Sequence, residues 1–124
     1  MKLSIPPPPI GSREMDVPLY QAKAELFRTM GHPVRIRVLE LLLDRPRPVH
    51  ELLVETEVEA SSLSQQLALL RRAGLVESKR QGAEVVYTLS APEVAELMAA
   101  GRRVLGKVLM DRDQLLAELV GPQS

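Results

Sequence analysis

Residues Ser61 to Leu89 read SSLSQQLALLRRAGLVESKRQGAEVVYTL. Leu63, Leu67 and Leu70 recur at the i, i+4, i+7 spacing of a single helical stripe. At about 100° per residue, Ser61, Gln65 and Arg72 point away from that stripe, with Ser62 and Ser64 on its flanks. This outer face is short, uncharged at its N-terminal end and rich in hydrogen-bonding groups. Gly74 stops the helix, because glycine alone takes a left-handed C-terminal cap at no cost. The spacing then predicts strands over Leu75–Arg80 and Val85–Leu89, with Gln81-Gly82-Ala83-Glu84 turning between them.

Before this stretch, Glu57-Val58-Glu59-Ala60 is read as a turn, and His50 to Thr56 as a short helix with Leu52 and Leu53 inward. Asp44-Arg45-Pro46-Arg47-Pro48 is read as another turn. Val34, Ile36, Val38, Leu39, Leu41, Leu42 and Leu43 make a helix that is apolar nearly all round, the expected centre of the domain. Gly31-His32-Pro33 separates it from a first amphipathic helix carrying Leu19, Ala22, Leu26, Phe27 and Met30. Residues 1–18, with Pro6-Pro7-Pro8-Pro9, are expected to be a flexible proline-rich tail, or a polyproline ligand for a partner. Residues 19–120 form the expected folded domain.

After the hairpin, Ser90 is placed to cap a long last helix with Pro92 and Glu93 in its first turn. Val94, Leu97, Met98, Gly101, Leu105, Val108, Leu109, Leu116 and Leu119 keep helical spacing along it. So small a domain cannot bury all of that stripe, and a soluble monomer avoids leaving it wet. A second copy is the simpler cover; the alternative is one helix folded back over its own domain. The expected interface comprises Leu19 and Leu26 of the first helix with Leu97, Leu105, Val108, Leu109 and Leu116 of the last. The expected fold class is therefore mainly α with a small β-hairpin. It is a homodimeric winged helix-turn-helix in the order α-α-α-α-β-β-α.

Composition narrows the function. With 16 basic and 16 acidic residues, no global field draws this chain to nucleic acid, so affinity for DNA has to be local. Between Ser61 and Ser90, Arg71, Arg72, Lys79 and Arg80 face only Glu77 and Glu84. Cysteine is absent, which removes disulfides, thiolate metal sites and thiol redox sensing. Phe27, Tyr20 and Tyr87 are the only aromatics, so the core must be aliphatic. No signal-peptide pattern or membrane-length apolar run is present, and the cytoplasm is the expected location. Neither histidine has a triad-like neighbourhood and no glycine-rich phosphate loop exists, so no enzyme is expected.

Four segments in order resemble the ArsR/SmtB family of bacterial repressors, over about Tyr20 to Leu119. They are Met30-Gly31-His32-Pro33-Val34-Arg35, Leu63-Ser64-Gln65-Gln66-Leu67, Leu70-Arg71-Arg72-Ala73-Gly74-Leu75-Val76, and the wing from Gly82 to Tyr87. The lack of cysteine and the wording SSLSQQL look most like actinobacterial, cysteine-free members. The resemblance implies a homodimer joined through its outer helices, which represses a nearby operon, its own included, from a palindromic operator until an effector releases it. Two departures stand out. Glu59-Ala60 occupies the place where relatives cap the recognition helix, leaving Ser61 as the candidate cap. Gln65-Gln66 stands where many relatives carry histidine, so base preference should differ.

By the same resemblance Ser61, Ser64 and Gln65 fall where relatives touch bases or adjacent phosphates. Gln65 is the best base reader, because its amide can pair with adenine N6 and N7. Ser62 and Gln66 flank the same groove. Arg71 and Arg72 close the helix, where stabilising its C-terminal dipole would alone account for them. Lys79, Arg80 and Gln81 sit on the wing, suited to phosphates and the minor groove or simply to a solvated, lysine-protected edge. For metals, the third helix offers His50-Glu51-Leu52-Leu53-Val54-Glu55 without thiol, and the last helix offers Asp111, Asp113 and Glu118 without histidine. No metal or cofactor is expected, and His32 is expected to bond locally beside Pro33. An unidentified small-molecule effector, or control by expression level alone, is what remains. A winged helix used only for protein–protein assembly is the rival reading.

Overall fold

The computed structural model describes residues 17–121. The elements run α1 (Leu19–Met30), α2 (Pro33–Leu41), β1 (Arg47–Pro48), α3 (Val49–Thr56), α4 (Ala60–Arg72), β2 (Val76–Gln81), β3 (Glu84–Leu89) and α5 (Pro92–Val120). Apart from Val17 and Pro18, the proline-rich tail lies outside the described residues.

Local chemistry sets most boundaries. At the start of α2, the Val34 N–H donates to His32 Nδ1 at 3.1 Å, so His32 is the N-cap and Pro33 fills the first helical position. The local role expected of His32 is this cap. At the end of α4, Gly74 at φ +80° lets its own N–H bond Arg71 O and the Leu75 N–H bond Leu70 O, each at 3.0 Å. These are the two bonds of a Schellman stop, and Leu70 and Leu75 bury their side chains together in the core. The hairpin turn is tighter than expected: Gln81 pairs with Glu84, leaving only Gly82 and Ala83 between the strands. Gly82, at φ +63°, supplies the left-handed first position that a two-residue loop of this kind demands.

Four further expectations need correction. The segment Asp44–Pro48 is not all turn: Arg47 and Pro48 pair antiparallel with Tyr87 and Val86, giving a three-stranded sheet of order β1-β3-β2. A proline is tolerated there because β1 is an edge. The second helix stops at Leu41, and Leu43 lies outside it with its side chain exposed. Ser90 does not cap α5. Ala91 is the N-cap, and Ser90 instead donates from Oγ to Gly74 O at 2.6 Å, fastening the hairpin exit to the end of α4. Ser61 does not cap α4 either. The helix already starts at Ala60 behind Glu59, so Ser61 is inside the first turn with its hydroxyl exposed.

The core is one aliphatic cluster centred on Val38, Leu39, Leu52, Leu63, Leu70 and Val76. Each fully buried leucine contributes about 1.5–3 kcal/mol relative to exposure. α2, α3, α4 and the sheet all face this cluster, which holds the outer surface of α4 and the hairpin in one rigid frame. α5 joins it only through its first turns. Val94 is buried and Leu97 and Met98 are half-buried, but every residue from Gly101 to Val120 is exposed. The helix therefore does not fold back over its own domain.

Candidate nucleic-acid interface

α3, the turn Glu57-Val58-Glu59 and α4 form the helix-turn-helix. Glu57 makes the corner in the left-handed region at φ 57°, ψ 33°. On α4 the stripe Leu63, Leu67 and Leu70 is locked into the core, which fixes the rotation of the helix and turns Ser61, Ser64, Gln65 and Arg72 to solvent. Ser62 and Gln66 are half-buried on one flank. Gln65 has no hydrogen bond to any described residue, so both ends of its amide are available. Gln66 differs: its Oε1 accepts from Arg35 Nη1 at 2.7 Å, which commits the carbonyl end to the protein.

The hairpin stands beside the C-terminal end of α4. Arg71 Nη1 donates to Ser78 Oγ at 3.2 Å, bracing the helix against β2, while Arg72 is exposed and enters no ion pair with a described residue. Along β2 alternate residues share a face, so Val76, Ser78 and Arg80 look toward α4 while Glu77, Lys79 and Gln81 look away. Lys79, Arg80 and Gln81 are all exposed, yet the pleat divides them between the two sides of the wing. At the turn end of the wing, Glu84 Oε2 lies 3.4 Å from His50 Nδ1 on α3, both side chains being exposed.

Charge on this surface is uneven. Cations gather where α4 ends and the wing begins, whereas Glu57 and Glu59 are exposed at the N-terminal end of α4. Glu59 complements the positive helix terminus there but supplies no side-chain cap. Arg35 has a role that no sequence motif marks. In the structure it lies against both α1 and α4, at Thr29 O and Gln66 Oε1. The only hint was a cation in the first turn of a helix, where the dipole disfavours it.

The remaining candidates lie on α1 and α5. Leu19, Leu105, Val108, Leu109 and Leu116 are exposed, and Leu26 and Leu97 are half-buried against the protomer's own core. Among the described residues no three His, Cys, Asp or Glu side chains come together as a metal would require, and no helix is long and apolar enough to cross a membrane.

Comparison with known proteins agrees with this geometry. Residues 32–78 match the bacterial regulatory proteins of the arsR family. The HTH-type transcriptional regulator Rv0081 of Mycobacterium tuberculosis is 52% identical over 103 residues, covering 82% of this chain and 90% of the relative. Its crystal structure superposes with a TM-score of 0.74 at 53% identity, over 78% of this chain and 98% of that one. The transcriptional activator HlyU of Vibrio cholerae is 41% identical over 73 residues, 59% of this chain and 68% of the relative. A homodimeric winged helix-turn-helix DNA-binding domain of Mycobacterium bovis, solved by NMR, has a TM-score of 0.68 at 27% identity, over 73% of this chain and 84% of that one.

Proposed function

Given that the chain belongs to the arsR family and is a DNA-binding transcriptional regulator rather than an enzyme, we propose that it works as a cytoplasmic homodimeric repressor of its own operon, bound to a palindromic operator. The observation that carries this is the outer face of α4. Its position is imposed by three buried leucines, and it exposes Ser61, Ser64, Gln65 and Arg72 beside a wing with free cations, with Leu69 as the one large apolar side chain that α4 exposes. A surface evolved for protein assembly would place apolar or aromatic anchors there. Gln65 is the base reader, Ser61 and Ser64 contact bases or adjacent phosphates, and Ser62 flanks them. Arg72, Lys79, Arg80 and Gln81 position the duplex through its backbone. Arg71 acts chiefly as the brace between α4 and β2.

The dimer reading is supported by the exposed apolar residues of α5 together with Leu19, Tyr20 and Phe27 of α1. Residues 19–120 serve as the combined DNA-binding and dimerisation domain. Release comes either from a small-molecule effector that needs no thiolate, since the chain offers none, or from expression level alone.

A gel shift on the duplex upstream of its own gene, against an unrelated duplex of equal length, tests DNA recognition. A promoter–reporter fusion tests the direction of control. Preferential binding with reporter output falling supports the proposal. Equal binding to both duplexes removes sequence recognition, and rising output would align the chain with the activator HlyU instead.

A further inference from the structure

Arg35 occupies the first turn of α2 and is half-buried, but it has no carboxylate partner among the described residues. Its guanidinium bridges two other helices. Nε donates to Thr29 O, one of the carbonyls that α1 leaves unsatisfied in its last turn, and Nη1 donates to Gln66 Oε1 on α4. Both placements follow from charge and donor inventory. A cation suits the C-terminal end of α1, and arginine, which can only donate, compels the oxygen of the Gln66 amide to face it. Thr29 and Gln66 are thus joined through one rigid planar group, and only the NH2 end of Gln66 is left free.

α1 carries the exposed Leu19, Tyr20 and Phe27 assigned above to the dimer, and α4 carries the residues assigned to base contact. We propose that Arg35 is a positioning residue, a clamp that sets the angle of the recognition helix relative to the dimer helix. It thereby presets the spacing and tilt of the two recognition helices, so that the second half-site is met at high effective concentration. The proposal rests on the dimeric, palindrome-binding reading. It assigns Gln66 to the protein rather than to a base.

The test uses a duplex selected by the wild-type protein from a random library, and the same duplex with one half scrambled. Fluorescence anisotropy of the full chain on both gives the ratio of full-site to half-site affinity. Arg35→Met and Gln66→Met should each lower that ratio about tenfold, and the double variant should fall no further than either alone. Gln66→Glu, which keeps an acceptor for the guanidinium, should retain the wild-type ratio even where its added charge weakens both complexes. Sedimentation should still show dimers and thermal melting a folded protein. If Arg35→Met does not fold, Gln66→Met on the helix flank carries the test alone. Equal weakening of both duplexes would make Arg35 a phosphate contact or a mere stabiliser, and an unchanged ratio would remove the clamp; either result overturns the proposal. A wild-type ratio near one would instead overturn the dimer reading, and the clamp with it.

Discussion

Gln65 and Arg80 divide the work of the DNA surface between reading and positioning. Gln65 projects from α4 with a free donor and a free acceptor, the pair needed to recognise an adenine edge. Gln65→Ala should cost about 1–3 kcal/mol of binding and relax preference at one base pair per half-site. Arg80 is an exposed cation on the α4-facing side of the wing, suited to phosphate and blind to sequence. Arg80→Ala should weaken all duplexes alike and lower the slope of log affinity against log salt by about 1. Titrations of both variants at several salt concentrations, on matched and mismatched duplexes, separate the two behaviours; identical profiles would refute the division. Glu57 illustrates a different kind of residue. It holds a left-handed conformation that costs a side-chain-bearing residue energy, and it makes no ion pair with a described residue. Glu57→Gly should therefore stabilise the domain by about 0.5–1 kcal/mol, after allowing for the greater freedom of glycine when unfolded. Urea denaturation would show a higher midpoint, and a lower one would mean that the corner is not strained.

At the scale of an element, α5 separates into two regions with different partners. Its first turns belong to the protomer core through Val94, Leu97 and Met98, while Leu105, Val108, Leu109, Leu116 and Leu119 are exposed. A substitution at Leu97 would therefore mix folding with association. One at Leu105 isolates association, because the side chain is 57% exposed in the single chain. Leu105→Glu should leave the protomer folded yet cost several kcal/mol of dimerisation, since a charge would enter an apolar seam without a partner. Analytical ultracentrifugation should find monomers with an unchanged circular dichroism spectrum. Intact dimers would place the interface on another surface.

For the whole molecule, the two-fold axis of the proposed dimer sets half-sites about one or two helical turns apart, and ligand inventory limits what can release it. Zinc, cadmium and arsenite should leave the DNA complex intact at one equivalent per subunit, because soft ions select thiolates and none exist. His32 is occupied as a helix cap and His50 lies beside Glu84, so neither is poised with three other donors. Anisotropy of the DNA complex during a zinc titration checks this, and stoichiometric release would reveal a site shared between subunits. What the sequence determined by itself was the apolar periodicity of its segments and the glycines that stop or turn them. The Leu63, Leu67, Leu70 stripe declared which way α4 faces, Gly74 where it ends, Gly82 where the hairpin turns, and the unbroken apolar periodicity of α5 that it outruns its own domain. The single chain had to be folded to decide between contacts that compete for the same groups. Arg47 and Pro48 read as turn residues until β3 offered them a pairing edge. Ser90 had the chemistry of a cap but found Gly74 O instead. Arg35 and Gln66, 31 residues apart, share no local pattern, and their bond exists only because α1, α2 and α4 are packed on one core. Periodicity and glycine stops are properties of a segment, whereas the partner of a polar group depends on which distant segment burial of the leucines brings beside it.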